Sequence, residues 1–327
     1  MVSLGSRVLA LGRAALESSV GGPLRRFVSG REARAEQRFV RAQADTYGFS
    51  SLTLEALKDC WAPKPAADTF FILGSGASVR DLSEADFLHV WEQRSVGINN
   101  WPLHPFVPDV FAFESVPWVG DGNDFARALS YLNREDIVAA GPPLLVLRPR
   151  SGNSLKELND LPPGFRERVF FYGRITPVTR RKKNLESEIG SLTKNLGRKY
   201  PGVLLDSGAS VVRLIHLALV MGYSKIVLVG VDLNNTEYFW ENNRDYDLNL
   251  IPEWPANNQQ SAKHETMGTL IRPFSVPDMV IALKSAAETG FGAKLYIGSP
   301  KSELAQYLPL YPWKVAAIEG EQAPDRA

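Results

Sequence analysis

Phe70-Phe71-Ile72-Leu73-Gly74-Ser75-Gly76-Ala77-Ser78 is the stretch that decides the fold. Its apolar run suits a strand buried on both faces, and the Gly-x-Gly at its end suits a sharp turn. A related arrangement lies further along. Asp206-Ser207-Gly208-Ala209-Ser210 precedes an apolar helix, a turn around Gly222, the apolar strand 225–230 and then Val231-Asp232. Small residues therefore stand where strands end and helices begin, which is where α/β sheets bind nucleotides and phosphates. Two such edges in one chain predict one crevice built from both.

Outward from these edges, strands and helices alternate. Apolar runs predict strands over 68–73, 94–98, 108–113, 144–147, 168–172, 225–230 and 293–297. Ser83 with Asp86 predicts a capped helix running to Gln93, and further helices are expected over 123–134, 209–222 and 276–289. Gly222 is placed as a C-terminal cap. The alternation predicts a doubly wound, mainly parallel, Rossmann-like sheet.

Three regions fall outside that rhythm. Residues 1–65 read as a basic helical extension, ended by Pro63 and Pro65. Residues 174–203 crowd Arg174, Arg180, Arg181, Lys182, Lys183, Lys194, Arg198 and Lys199 into a stretch with little apolar periodicity, and read as an inserted lid. Residues 234–264 read as an active-site loop, and 311–327 as a tail around a main domain over 66–310.

Composition narrows the function. The chain has 327 residues, 44% hydrophobic and 22% charged, with a net charge of +1, an ordinary globular balance with no global field for nucleic acid. The single cysteine, Cys60, rules out an internal disulfide framework and suits a reducing compartment. With four histidines and no CxxC or HExxH pattern, no metal site is expected. The longest apolar region, 211–231, is broken by Arg213, His216 and the turn at Gly222, so it reads as a buried helix and strand rather than a membrane span. Arginines interleaved with Leu, Val and Ala over 1–42 fit a partner-packing helix, a segment lying on a membrane, or a targeting presequence.

Candidate chemistry concentrates at the strand ends. Gly74, Ser75, Gly76 and Ser78 offer free N–H groups and hydroxyls to a phosphate or sugar. Asn99 and Asn100 close the second strand with carboxamides that can read a base or ribose. Ser207 and Gly208 begin a helix that attracts an anion, with Asp206 or Ser207 as its cap. Asp232 ends a buried strand. Asn234, Tyr238, Trp240 and Tyr246 come next in a polar, aromatic loop, and His264, expected to be accessible between that loop and a helix, is of the residue type that serves as general base near neutral pH. His216 reads as a core residue and His89 as helix surface.

The succession Ile72-Leu73-Gly74-Ser75-Gly76-Ala77-Ser78-Val79, Asn99-Asn100, Ser207-Gly208, 221–226, Gly230-Val231-Asp232 and His264 resembles the bacterial sialyltransferases of glycosyltransferase family 42, over about residues 68–305. The resemblance implies a GT-A-like fold and inverting, metal-independent transfer of sialic acid or a related nonulosonic acid from a CMP-activated donor to a glycan hydroxyl. It implies that Gly74 to Ser78 and Asn99 hold CMP, that Ser207 and Gly208 contact the donor, that Tyr238 meets the leaving phosphate and that His264 is the base. Where the family carries a second tyrosine this chain has Asn234, and where it carries an arginine before Ser-Gly this chain has Leu204. Those departures leave the exact donor open, with a different CMP-linked acid, such as a legionaminic-like sugar, as one choice.

The implied partners are a CMP-sugar co-substrate and a glycan or glycolipid acceptor, with no cofactor and no nucleic acid. The expected setting is cytoplasmic, with peripheral contact at the inner membrane through the N-terminus and a homo-oligomer left open. Two alternatives stand beside this reading. One is a magnesium-dependent enzyme of pyrophosphokinase type using Asp206, Asp232 and Glu114; the other is a transferase-like binding module without activity.

Overall fold

The computed structural model describes residues 22–61, 64, 67–98, 100–114, 129, 131–139, 141–149, 155, 158–159, 161–162, 164–235, 237–241 and 273–313. Among the described residues its centre is an eight-stranded sheet. The strands are β1 (Ser50–Ser51), β2 (Thr69–Leu73), β3 (Arg94–Ile98), β4 (Val110–Glu114), β5 (Leu144–Arg148), β6 (Val169–Phe171), β9 (Lys225–Val229) and β10 (Lys294–Ile297). Their order is β1-β6-β5-β4-β3-β2-β9-β10, and every pairing is parallel. A small parallel pair, β7 (Gly173–Ile175) with β8 (Val203–Leu205), stands beside it. The fold is the expected doubly wound α/β sheet.

Strand β2 shows why the sheet is buried on both sides. All five of its residues are buried; Phe70 and Ile72 join the core on one face, while Phe71 and Leu73 join the core on the other. A two-residue period on a strand with helices on both faces requires that division. From β2 the chain winds outward through β3, β4, β5 and β6, and β9 then returns to the opposite side of β2. The order therefore reverses between β2 and β9, and doubly wound sheets place their binding crevice beyond the carboxyl ends of strands at such a reversal.

The helices are α1 (Gly22–Tyr47), α2 (Leu54–Cys60), α3 (Glu84–Glu92), α4 (Glu135–Ala139), α5 (Lys182–Lys199), α6 (Ser210–Met221) and α7 (Val276–Gly290). Helix α3 starts in a reciprocal capping box between Ser83 and Asp86, and α7 starts in another between Ser275 and Asp278. Gly222 ends α6 with φ of 90°, a left-handed conformation that suits glycine.

Three readings are corrected. Residues 174–203 do not lack apolar periodicity: α5 buries Leu185, Ile189, Leu192 and Leu196 and packs on α7, so this stretch is a core layer, not a surface lid. The dense lysines and arginines occupy its outer face and hide the stripe. The extension before residue 65 is not separate, because β1 pairs with β6 and α1 packs on β7. The start of the tail is not loose, since Tyr311 and Trp313 pack on Phe71. Within the expected helix 123–134, residues Tyr131–Asn133 form a 3-10 turn and most of the rest lies outside the described residues. Among the described residues no helix is long and apolar enough to cross a membrane.

Candidate functional site

The first edge of the crevice is the turn after β2. Gly74 N–H donates to Val229 O at 2.7 Å and Gly76 N–H to Gly230 O at 2.8 Å. A Cβ on Gly74 would sit 2.5 Å from Gly230 O, and one on Gly76 would sit 2.5 Å from Asp232 Oδ2. The glycines are thus explained by close approach of the β9 turn. Ala77 N–H donates to Glu237 O at 3.2 Å, and Phe239 N–H to Ser75 O at 3.0 Å. Asp232 is buried; it accepts from Ser78 N at 2.9 Å and from Ser78 Oγ at 2.5 Å.

This arrangement corrects the expectation of free N–H groups. The amides of Gly74, Gly76, Ala77 and Ser78 all donate within the protein, and the Ser78 hydroxyl hydrogen goes to Asp232. The unspent group is the Ser75 hydroxyl, buried with no hydrogen-bond partner among the described residues. The turn after β9 is itself held under strain. Leu233 takes φ of 64°, unusual for a residue with a side chain, between a Ser302 Oγ bond to Val231 O at 2.6 Å and a Glu303 N–H bond to Asp232 O at 2.8 Å. Asn234 is exposed and donates to Lys301 O at 2.7 Å. Tyr238 is half-buried, pairs in a bridge with Gly76 and stacks on Trp240 at 4.6 Å.

The second edge lies at the start of α6. Asp206 is fully buried and bridges two guanidinium groups, Arg213 Nη1 at 2.6 Å and Arg174 Nη1 at 2.5 Å, and also accepts from Gly208 N at 2.7 Å. Burial by itself would raise its pKa. The two arginines and the Gly208 amide overcome this and hold the carboxyl below its ordinary range. With its oxygens so engaged, Asp206 does not cap the helix. The N-cap is Ala209, with no side-chain hydrogen bond, and the Ser207 hydroxyl is buried without a partner among the described residues. Two positive charges and one negative leave this trio with one positive charge in excess, beside an uncapped helix start.

Topology places the two edges on the same side. Helix α6 packs on β2 and β9 and delivers the chain to the first residue of β9, so its own start lies toward the carboxyl ends of those strands. Among the described residues the hydrogen bonds of this side fall into two sets. The first links 74–78 with 229–239, and 231–232 with 302–303; the second links Arg174, Asp206, Gly208, Ser210 and Arg213.

Other candidates resolve differently. Asn100 is half-buried and its carbonyl accepts from Leu103 N at 3.0 Å, closing the turn after β3. Asn99 and His264 lie outside the described residues, as does most of the loop 234–264. His216 is a core residue, as expected, and burial pushes its pKa down to about 4. His89 is not on the surface: it is buried, with Nε2 against the Tyr311 hydroxyl at 2.8 Å. His104 accepts from Phe106 N through Nδ1 at 2.9 Å; burial and then Arg134 push its pKa down to about 3. Neither His104 nor His216 carries charge at neutral pH.

Arg174, Arg213, Leu233 and Ser302 are the site residues that sequence reasoning missed. Arg213 did leave a signal, a lone cation inside an apolar helix that must find a buried partner. Arg174 left none. It comes to Asp206 because Arg174 pairs in register with Leu204 across the β7–β8 ladder. Asp206 and Asp232, the carboxylates considered for magnesium, both accept from protein donors instead. Glu114 ends β4 in register with Arg148. Among the described residues no group of three acidic, histidine or cysteine side chains could hold a metal ion.

No protein-family model matches the chain, and no curated protein sequence matches it. One solved structure that resembles it is the monofunctional alpha-2,3-sialyltransferase Cst-I from Campylobacter jejuni. The identity is 15%, the alignment covers 76% of this chain and 82% of that one, and the TM-score is 0.43. A likeness at that level carries no argument about activity.

Proposed function

We propose that the chain is an inverting, metal-independent glycosyltransferase that moves sialic acid or a related nonulosonic acid from a CMP-activated donor to a glycan hydroxyl. The order of sequence motifs supplies the reaction class. The observation that carries the reading is the uncapped, net-positive start of α6, with the Ser207 hydroxyl unspent, on the same side of the sheet as the turn after β2. Such a place suits an anionic donor that binds without a metal.

In this reading the Ser207 hydroxyl and the partly exposed Arg174 hold the donor's anionic groups, and Gly208 shapes the turn between them. Ser75, Asn99 and Asn100 hold the cytidine. Gly74, Gly76 and Ser78 shape the wall rather than cradle the phosphate, and Asp232 is a positioning residue that fixes Ser78. The acceptor oxygen attacks the anomeric carbon, and the bond from that carbon to the phosphate oxygen breaks. CMP leaves with the electron pair, steadied by the Tyr238 hydroxyl, and His264 takes the acceptor proton.

The test is a thermal-shift series with CMP, CDP, UDP, GDP, ATP and NAD, each with and without magnesium. Stabilisation by CMP without metal is expected. A preference for a purine nucleotide, or a strict magnesium requirement, would discard the proposal in favour of the phosphate-transfer alternative. His264→Ala should keep CMP binding and lose transfer from CMP-sialic acid; binding without transfer in the unaltered protein, for every CMP-linked acid tried, would leave a binding module.

A further inference from the structure

Helix α1 carries a surface that the transferase reading does not use. Ser29, Ala33, Val40 and Ala44 are buried against the sheet, at the helical spacing of one face. The opposite face presents Phe27, Arg31, Arg34, Arg38 and Arg41, all exposed, at spacings of four, three, four and three residues. Those spacings place them in one stripe, and Arg31 to Arg41 spans about 15 Å of helix. Among the described residues none of these four arginines forms an ion pair. The acidic side chains of the helix do little to cancel them. Glu36 turns inward and accepts from Arg174 N at 3.2 Å, Glu32 lies on the flank, and Asp45 stands beyond the stripe's far end.

The stripe ends in an apolar group. Phe27 is 61% exposed, with the Arg31 guanidinium 6.0 Å from its ring centre. The sequence before the helix continues the theme, with Leu4, Val8, Leu9 and Leu11 among Arg7 and Arg13. The chain as a whole has a net charge of only +1, so the positive field is concentrated locally on this face.

We infer that this face of α1 docks on an anionic phospholipid surface, with the arginines at the phosphate headgroups and Phe27 entering the acyl boundary. A straight row of exposed arginines beside an exposed aromatic ring matches a planar array of phosphates over an apolar layer. The inner face of the same helix packs on β7, the strand that carries Arg174, so the docked surface lies one layer from the second edge of the crevice. The inference is independent of which nucleotide the crevice takes.

Vesicle flotation of the full chain tests it. Binding is expected to vesicles of phosphatidylcholine containing about 30% phosphatidylglycerol and not to phosphatidylcholine alone. Changing Arg31, Arg34, Arg38 and Arg41 together to Gln should weaken binding by at least about tenfold, while changing them to Lys should retain it. Phe27→Ser should weaken binding on the Arg background. Raising salt from about 0.05 to about 0.5 M should release the unaltered protein, a readout that stands even if the Gln variant fails to fold. Equal binding to both vesicle types, salt-independent binding, or tighter binding to duplex DNA or single-stranded RNA at matched phosphate concentration would overturn the inference.

Discussion

The two edges of the crevice begin from the same local recipe, small residues between a strand and the next element, and end in opposite states. The turn after β2 spends its amides on the β9 turn and on residues 237–239, closing the sheet at its switch point. Each edge keeps one buried hydroxyl unspent, Ser75 at the first and Ser207 at the second, but the start of α6 also holds an excess positive charge. The difference teaches that a glycine turn at a strand end is not by itself a phosphate cradle. The deciding factor is whether another backbone approaches within bonding distance. At Gly74 and Gly76 one does, and the absence of Cβ serves protein rather than ligand.

The largest break in the comparison should come from the carboxylates. Asp206→Ala leaves Arg213 buried without its counter-ion and should cost about 3–5 kcal/mol of stability, read by urea unfolding. Asp232→Ala removes an acceptor from neutral donors and should cost about 1–3 kcal/mol. Equal losses would erase the distinction between an ionic and a neutral edge. Because the Asp206 pKa is lowered on folding, its stabilisation is complete at neutral pH and is lost as pH falls through the folded value, below the ordinary carboxylate range. The stability gap between the unaltered protein and Asp206→Asn should therefore narrow only in that acid window.

The glycines come next. Gly76→Ala drives a Cβ against the Asp232 carboxylate and Gly74→Ala drives one against Gly230 O, each expected to lower stability by about 1–3 kcal/mol. Gly208→Ala carries the cost of its φ of 80°, about 1–2 kcal/mol. Melting temperatures that put the loss at Gly208 above both others would reverse the assignment of closure and binding.

The smallest effect separates the hydroxyls. Ser207→Ala should leave stability within about 0.5 kcal/mol and reduce CMP affinity several-fold, since its hydroxyl has no partner among the described residues. Ser78→Ala should do the reverse, costing about 1 kcal/mol of stability through the lost Asp232 bond while changing CMP affinity less. Calorimetric binding and urea midpoints on both variants read the exchange.

Much of the architecture was legible from residue pattern. Continuous apolar runs marked β2, β5 and β9, and a Ser-x-x-Asp spacing marked the start of α3. The elements that escaped were short or disguised. Strands β1, β7 and β8 have two or three residues each, too few for a period to show. Helix α5 was disguised by its outward charges, although its buried residues keep helical spacing. At the site, the residue types at the strand ends were readable, but their spent or unspent condition was not. Ser78 and Ser207 look alike in the chain and differ only in the groups that reach them.

By itself, the amino-acid order determined the longer strands, the parallel winding, the caps at Ser83 and Gly222 and the places where small residues meet strand ends. These depend on periodicity and on the conformational limits of nearby residues, which act over a few positions. Only the tertiary structure decided that Arg174 meets Asp206 through a strand register, that Asp232 ties down a turn 154 residues away, and that Ser207 keeps its hydroxyl unspent. Hydrogen bonds and ion pairs act between groups that touch, and contact between distant parts of a chain is fixed by how the layers pack.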